Sequence, residues 1–221
     1  MEKPLVIFLD FDGTVAYRDV GYHMVKRFAS EGWEEINLMW EEGALSTAQC
    51  AQKTLDIMKV SPAELEEFFL EQELDPGFES FLEWISTRPA PLYIVSDGYD
   101  NYIEPILKKH GLSIPYYANH LDYDGGWIFT SFHSNPECGK CGTCKSSIVQ
   151  EQTPPGAVSI YIGDGYSDRC AAGGCDIVLA KDALASHCQE NNIPFHHFKD
   201  FYDVIKILNI VIEQGEKKSG A

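Results

Sequence analysis

Short apolar runs alternate with segments of helical length in this sequence, and that alternation limits the possible folds more than any other feature. Four runs rich in β-branched or aromatic residues are predicted to be buried strands: Val6–Leu9, Leu92–Val95, Val158–Ile162 and Ile177–Leu179. Helix-like segments lie between or after the later runs: Tyr102–His110, Lys145–Gln150, Ala183–Asn191 and Phe201–Ile212. This order predicts an α/β fold, with a doubly wound, mostly parallel sheet covered by helices on both faces.

The segment between the first two strands contains no convincing strand pattern and is predicted to be all helical. In "DVGYHMVKRFASEG" the apolar residues recur at helical spacing and a glycine ends the pattern. "SPAELEEFFLEQ" holds a capping box, Ser61 with Glu64, and a proline in the first turn. We therefore expect a helical cap at residues 16–78, inserted after the first strand into a core of residues 1–15 and 79–221.

A second interruption of the strand and helix pattern lies between Tyr116 and Ser134. There, Asp124, Gly125 and Gly126 stand between apolar residues, and such a turn is favoured in hairpins. We expect a small β-hairpin that forms a flap beside the main sheet.

The composition excludes several classes of partner. The formal net charge of −17 over 221 residues opposes binding to nucleic acid or to an anionic membrane, because both surfaces are negative. No apolar run approaches the roughly 18 residues that span a bilayer, and no signal peptide is expected. Seven cysteines, an odd number, fit a reducing compartment, so a cytoplasmic protein is expected. The oligomeric state stays open.

Polar residues follow three of the predicted strands at the point where each strand ends. They are, in chain order, Asp10 and Asp12, Ser96 and Asp97, and Asp164 and Asp168. Ligands of an open α/β sheet bind at this carboxyl edge, where the three sets would converge. Clustered carboxylates are tolerable around Mg²⁺, which prefers oxygen ligands and is often shared with phosphate groups. An ordinary Asp- and Gly-rich turn explains "DFDGT" alone but not the whole set.

Four motifs in order resemble those of the haloacid dehalogenase-like superfamily of phosphohydrolases: "DFDGT", "VSDG", a lysine at the start of a helix, and "GDGYSD". The resemblance covers nearly the whole chain, and the helical cap after the first motif is similar to that of the phosphoserine phosphatase-like subclass. It implies hydrolysis of a small phosphorylated metabolite through an aspartyl-phosphate, with Mg²⁺ as cofactor.

The same resemblance implies a role for each motif residue. Asp10 is the expected nucleophile, and Asp12 is the expected acid that protonates the leaving oxygen and later activates water. The expected phosphate ligands are Ser96, Asp97, Gly98 and Lys145. The expected Mg²⁺ ligands are Asp10, the backbone carbonyl of Asp12, Asp164 and Asp168. Asp168 would either bind the ion itself or hold another ligand in place. Attack of a carboxylate on a phosphate is opposed electrostatically, so the cation and Lys145 must neutralise the repulsion.

A cysteine-rich segment, "FHSNPECGKCGTCK", runs directly into Lys145 and narrows the resemblance. It is similar to the methionine-salvage phosphatases that act on 2-hydroxy-3-keto-5-methylthiopentenyl-1-phosphate and to the phosphoethanolamine/phosphocholine phosphatases. The cap pattern favours the first group, whereas Asp97 resembles the second. Phosphoserine and pyridoxal phosphate are further candidate substrates. A regulatory module that only binds phosphate or Mg²⁺ would predict eroded motifs, and here they are intact.

Four cap residues close to the first motif are candidates for substrate recognition: Tyr17, Arg18, His23 and Arg27. One or more of them is expected to face the site and contact the organic part of the substrate. The alternative for each is a plain surface position.

The cysteine-rich segment could also hold a structural metal. Cys138, Cys141 and Cys144 stand three residues apart, and His133 is close enough in sequence to complete a Cys₃His zinc site. The alternative is that reduced thiols stiffen the loop beside Lys145.

Overall fold

The computed structural model describes residues 4–88 and 90–219, with side chains up to residue 212. Its strands are β1 (Leu5–Leu9), β2 (Leu92–Tyr99), β3 (Tyr116–Tyr123), β4 (Trp127–Thr130), β5 (Val158–Gly163), β6 (Ile177–Ala180) and β7 (His196–His197). Its helices are α1 (Val20–Phe28), α2 (Trp33–Glu41), α3 (Thr47–Asp56), α4 (Pro62–Leu70), α5 (Phe78–Ser86), α6 (Asp100–Lys109), α7 (Lys145–Gln152), α8 (Arg169–Ala172), α9 (Asp182–Glu190) and α10 (Phe201–Ser219). Among the residues described, no helix is both long and apolar enough to cross a membrane.

One seven-stranded sheet forms the centre of the part of the chain that the structure describes. The strand order is β4-β3-β2-β1-β5-β6-β7, and every neighbouring pair is parallel except β3 with β4. The predicted α/β fold with a mostly parallel sheet is therefore confirmed. Because β1 is central, the carboxyl ends of β2, β1 and β5 lie side by side.

The predicted hairpin is present as β3 and β4, and its first strand also joins the main sheet. Tyr116 and Tyr117 pair in parallel with Ile94 and Val95 of β2, while β4 pairs antiparallel with β3. The hairpin thus forms one edge of the sheet. The opposite edge is the two-residue strand β7, which the sequence did not predict.

The side chains of β1 show why this strand is central. Val6 and Phe8 belong to the apolar cluster on one face of the sheet, and Ile7 and Leu9 belong to the cluster on the other. All four side chains are fully buried. A strand that is covered on both faces has a continuous run of apolar residues in its sequence, and β1 has such a run.

The five helices between β1 and β2 include the predicted all-helical cap. Ser46 and Ser61 begin α3 and α4 with complete capping boxes, and α2 is a helix that the sequence did not predict. Met24, Leu55 and Phe68 of these helices extend the same buried cluster that covers one face of the sheet. The cap boundaries at residues 16 and 78 stay a prediction.

Candidate active site

The turn that follows β1 places the first two aspartates at the rim of the sheet. Asp10 is almost fully buried, and Phe11–Val15 form a turn that is closed by a hydrogen bond from the Ala16 N–H to the Phe11 carbonyl at 2.8 Å, with non-helical backbone at Asp12 and Gly13. Gly13 has a φ of +69°, and a Cβ there would lie 2.5 Å from Oδ2 of Asp164. Only glycine combines this backbone conformation with so close an approach, so the motif glycine allows the turn after β1 to lie against Asp164 at the end of β5.

A lysine and two carboxylates form a buried ionic cluster at this rim. Nζ of Lys145, the first residue of α7, lies 2.6 Å from Oδ1 of Asp10 and 2.6 Å from Oδ1 of Asp168. Burial opposes the positive charge of Lys145, but the two carboxylates outweigh that effect and raise its pKa. Lys145 is therefore a fixed cation, and one of its three N–H donors is left for a further partner.

Asp10, Asp164 and Asp168 offer carboxylate oxygens that all lie within 4.8 Å of one another. Burial and then the charge of Asp168 raise the pKa of Asp10 well above its ordinary value, while Lys145 works against this. Burial and then Asp168 likewise raise the pKa of Asp164 to about 7. The Thr14 hydroxyl donates to Asp164 at 2.6 Å. Hard oxygen donors packed this closely gain stability from a bound cation.

Asp168 differs from Asp10 and Asp164 because both of its oxygens are already engaged. Oδ1 accepts from Lys145 and from the Tyr161 hydroxyl at 2.6 Å, and Oδ2 accepts from the backbone N–H groups of Asp164 and Gly165 at 3.1 and 2.9 Å. Its side chain is fully buried. This arrangement holds Lys145 and the turn after β5 in place, and it favours a supporting position for Asp168 over a direct metal contact.

Asp12 is held by four donors. Its Oδ1 accepts from the backbone N–H groups of Val20 and Gly21, at 2.9 and 3.1 Å, in the first turn of α1. Its Oδ2 accepts from the hydroxyl groups of Tyr102 at 2.5 Å and Ser96 at 3.4 Å. Burial and then the charge of a neighbouring carboxylate raise the pKa of Asp12 to about 7. Such a pKa suits a group that both gives and takes a proton near neutral pH.

The side chains of the second motif, which lies within the carboxyl-terminal half of β2, have two different sets of partners. Ser96 is fully buried beside Asp12, and its Oγ accepts from the backbone N–H of Gly98 at 2.9 Å. Asp97 points elsewhere: Oδ1 accepts from the Thr143 backbone N–H at 2.7 Å, and Oδ2 accepts from the Thr47 hydroxyl at 3.2 Å. Asp97 therefore links the cap to the loop before Lys145.

A cavity of about 450 Å³ opens above the acids, between the rim of the sheet and the cap. Buried apolar side chains form part of its wall: Met24 of α1, Leu55 of α3, and Met58 just after α3. Trp33 and Trp40 of α2 form another part, and Trp40 contacts the ring of Tyr166. No Lys, Arg or His is found among the described residues that line this cavity.

The four cap residues predicted to contact the substrate do not line the cavity. Tyr17 is 60% exposed, and Arg27 forms a surface ion pair with Glu71 at 2.9 Å. The ring of His23 packs edge-on against that of Tyr22. Arg18, like the other three, is absent from the described lining. The cavity is lined instead by residues on the opposite side of α1 and by residues of α2 and α3. Local spacing alone did not show which side of α1 faces the cavity.

The predicted zinc residues are not brought together either. Within the described ranges, the only group of three or more His, Cys, Asp or Glu ligand atoms is the one at Asp10, and it contains no thiol. Cys138 is exposed, whereas Cys144 is buried with its Sγ 3.1 Å from the Ser147 hydroxyl. The geometry of His133, Cys138, Cys141 and Cys144 gives a zinc site no support, and Cys141 is a free thiol like the rest.

Three site residues were missed in the sequence. Tyr102 and Tyr161 donate hydroxyl groups to Asp12 and Asp168, and Thr14 donates to Asp164. Tyrosine on the buried face of an element usually has such a partner. That signal was available in "DNYIEPIL" and "SIYIG", but the sequence could not say which carboxylate each hydroxyl reaches.

A family model for haloacid dehalogenase-like hydrolases matches residues 7–173. The chain belongs to this family. The family and the fold predicted from the sequence are confirmed. The prediction of a hydrolytic enzyme of the phosphomonoester hydrolase class is also confirmed.

Several relatives match almost the whole chain. A 2-hydroxy-3-keto-5-methylthiopentenyl-1-phosphate phosphatase of Lysinibacillus sphaericus (strain C3-41) is 31% identical over 220 residues, which are 96% of each protein. A protein of the same name from Geobacillus kaustophilus (strain HTA426) is 34% identical over 215 residues, 94% of this chain and 97% of the relative.

Solved structures of phosphoserine phosphatase share the fold. A phospho-aspartyl intermediate analogue of that enzyme superposes with a TM-score of 0.70 at 19% identity, covering 93% of this chain and 99% of that one. A substrate-bound complex gives a TM-score of 0.69 at 19% identity, covering 94% and 99%. At this level of identity the likeness concerns the fold alone.

Proposed function

We propose that this protein is a Mg²⁺-dependent phosphatase that hydrolyses a small phosphomonoester through an aspartyl-phosphate on Asp10, with a substrate similar to 2-hydroxy-3-keto-5-methylthiopentenyl-1-phosphate. The observation that carries the proposal is the buried Asp10–Lys145 pair at 2.6 Å, in which Asp10 lines the cavity beside Asp164 and Lys145 lies behind it. The names of the relatives support the choice of substrate. The free thiols of all seven cysteines support the predicted reducing, cytoplasmic location.

The donor set fits a magnesium ion. Asp10 and Asp164, together with the backbone carbonyl of Asp12, would hold it, and Asp168 would position Lys145 behind them. When bound, the ion would offset the negative charge of the phosphate and of the nucleophile. Carboxylate and carbonyl oxygens are the ligands that Mg²⁺ prefers, and it commonly shares its coordination sphere with phosphate.

Two chemical steps follow from the positions of the side chains. In the first, an oxygen of Asp10 forms a bond to phosphorus while the bond to the leaving oxygen breaks, and Asp12 gives its proton to that oxygen. In the second, Asp12 takes a proton from water, the water oxygen attacks phosphorus, and the bond to Asp10 breaks to release phosphate. Ser96 and the free N–H of Lys145 hold the phosphoryl oxygens in both steps.

The cavity supports a substrate with an apolar organic part. Met24, Leu55 and Met58 offer it a buried apolar wall, and apolar burial stabilises by roughly 25 cal/mol per Å². The carboxylate of phosphoserine would find no cationic side chain among the described lining residues. We propose that the cap, residues 16–78, supplies this selectivity.

A cationic substrate such as phosphoethanolamine or phosphocholine is the second candidate. Asp19 and Glu41 line the same cavity as Trp33 and Trp40. Acids beside aromatic faces are a recurrent binding arrangement for ammonium groups. This observation keeps the amine phosphates in the substrate test.

The proposal is tested by measuring kcat/KM for the methylthiopentenyl phosphate, phosphoethanolamine, phosphocholine, phosphoserine and pyridoxal phosphate. The first is expected to be the best substrate in Mg²⁺, with no turnover in EDTA. Asp10→Asn is expected to lower kcat by more than about 10³-fold, whereas the matched control Asp122→Asn, at an exposed position on β3, keeps full activity. Full activity of Asp10→Asn would refute the covalent mechanism. A higher kcat/KM for an amine phosphate would refute the proposed substrate and favour the second candidate.

A further inference from the structure

Tyr102 makes the shortest contact of any side chain with Asp12, yet it belongs to none of the four motifs. Its hydroxyl donates to Oδ2 of Asp12 at 2.5 Å, while Ser96 is 3.4 Å from the same oxygen. The tyrosine lies in the first turn of α6 and is fully buried. The contact therefore joins two segments that are 90 residues apart in sequence.

The surroundings of Tyr102 fix the position of the hydroxyl. Its ring packs against those of Phe11, Phe69 and Tyr99, with centroids 5.2–5.9 Å apart. Gly98 provides the space: a Cβ at this position would lie 1.7 Å from the Tyr102 hydroxyl and 2.4 Å from Oδ2 of Asp12. Glycine at position 98 is thus required for the tyrosine and the aspartate to meet.

The two oxygens of Asp12 differ in what they can do. Oδ1 accepts from two backbone N–H groups, of Val20 and Gly21, and these can only donate. A transferable proton therefore belongs on Oδ2, the oxygen that Tyr102 contacts. The Tyr102 hydroxyl occupies one lone pair of Oδ2. The Ser96 hydroxyl, 3.4 Å away, can accept as well as donate, so a proton on the second lone pair is compatible with both contacts.

We propose that Tyr102 is a positioning residue that orients Oδ2 of Asp12 toward the leaving-group oxygen. The inference rests on the proposed function, because it assumes that Asp12 is the general acid of the first step. Without the tyrosine hydroxyl, only the more distant Ser96 donates to Oδ2, and the carboxyl group loses its fixed orientation. General acid catalysis contributes typically about 10²–10⁴-fold, and its efficiency depends on such positioning.

The experiment compares Tyr102→Phe with wild type on phosphomonoesters of different leaving groups: 4-nitrophenyl, phenyl and ethyl phosphate. Nitrophenolate leaves without a proton, whereas ethoxide needs one. The kcat/KM value reports the steps up to the first irreversible one, so hydrolysis of the aspartyl-phosphate does not enter. We expect a loss of less than about threefold for 4-nitrophenyl phosphate and about 10- to 100-fold for ethyl phosphate.

Two controls separate positioning from stability. Tyr93→Phe removes a tyrosine hydroxyl from β2, where the ring stacks on Phe8 away from the cavity, and is expected to leave all three values unchanged. The ratio of kcat/KM between two leaving groups within one preparation does not depend on how much of the protein is active.

A parallel loss across the three esters in Tyr102→Phe, or no loss, would overturn the positioning role and leave the proposed function intact. If wild type showed no turnover that depends on Asp10, both proposals would fall together.

Discussion

Neutralising Asp164 is predicted to stabilise the metal-free protein while removing its response to Mg²⁺. The pKa of Asp164 in the folded chain is about 7, against an ordinary value near 3.9, because burial and the charge of Asp168 disfavour its ionised form. A difference of about three pH units corresponds to about 4 kcal/mol at most. Asp164 is partly accessible to solvent, so we expect Asp164→Asn to raise the free energy of unfolding by about 2 kcal/mol at pH 8. Asparagine keeps the oxygen that accepts from Thr14.

The sign of the pH dependence follows from the same shift. Between pH 7 and about 4 the folded state of wild type binds a proton at Asp164 that the unfolded state does not, so its stability falls as the pH rises through this window. The penalty is complete above about pH 7 and absent below about pH 4. The advantage of Asp164→Asn should therefore be largest at pH 8 and disappear toward pH 4.

Thermal unfolding followed by circular dichroism, in EDTA and then in Mg²⁺, measures both effects. For a chain of this size, 2 kcal/mol corresponds to an increase in Tm of about 4–8 °C. Wild type should gain about 2.7 kcal/mol when Mg²⁺ reaches about 100 times its Kd, and Asp164→Asn should gain much less. The control Asp122→Asn, 55% exposed on β3, should change stability by less than about 0.5 kcal/mol. An Asp164→Asn protein that is less stable in EDTA at pH 8, or that gains as much from Mg²⁺ as wild type, would refute the reasoning.

Three further predictions concern the lysine, the second motif and the metal. Lys145→Met leaves Asp10 and Asp168 without their cation. Urea unfolding should show a free energy of unfolding lower by about 3–5 kcal/mol, and kcat should fall by more than about 10²-fold. Unchanged stability would contradict the buried ion pair. Asp97→Ala should cost about 1–3 kcal/mol through lost hydrogen bonds to Thr47 and the loop, without altering the order of substrates in the panel; an altered order would make Asp97 a substrate contact. Replacing Mg²⁺ by Ca²⁺ should inhibit turnover, because Ca²⁺ takes a larger and less regular coordination shell; unaffected turnover would argue against a direct role of the metal.

The rim of the sheet could be predicted from the sequence because a general rule places it. Parallel strands end at a common edge, so Asp10, Ser96 and Asp164 converge whatever the details of their loops. Lys145 followed from the family resemblance, and the structure puts it against Asp10. The positions of the residues at the strand ends depend on the order and direction of the strands. An alternation of strands and helices leaves few possibilities for both.

The rest of the site depends on tertiary contacts that local patterns do not contain. Tyr102 reaches Asp12 across 90 residues, and that contact requires the space left by Gly98. The cavity wall includes Trp33 and Trp40 of α2, a helix that the sequence analysis did not predict. Which side of α1 faces the cavity is likewise set by packing of the whole cap, so local spacing could not separate Arg27, which pairs with Glu71 at the surface, from the residues that line the cavity.

The charge balance of the site supports the proposed role of a divalent cation. Asp10, Asp12, Asp164 and Asp168 lie around Lys145, and two of the three N–H donors of the lysine already serve carboxylates. A phosphate dianion entering this place would add further negative charge to a cluster that burial already penalises. One N–H cannot offset that repulsion, but a divalent ion held by the same carboxylates can. Under the proposed function, the acids that are predicted to weaken the metal-free fold would be the ones that make phosphate binding possible. We therefore expect their removal to lower activity and raise stability.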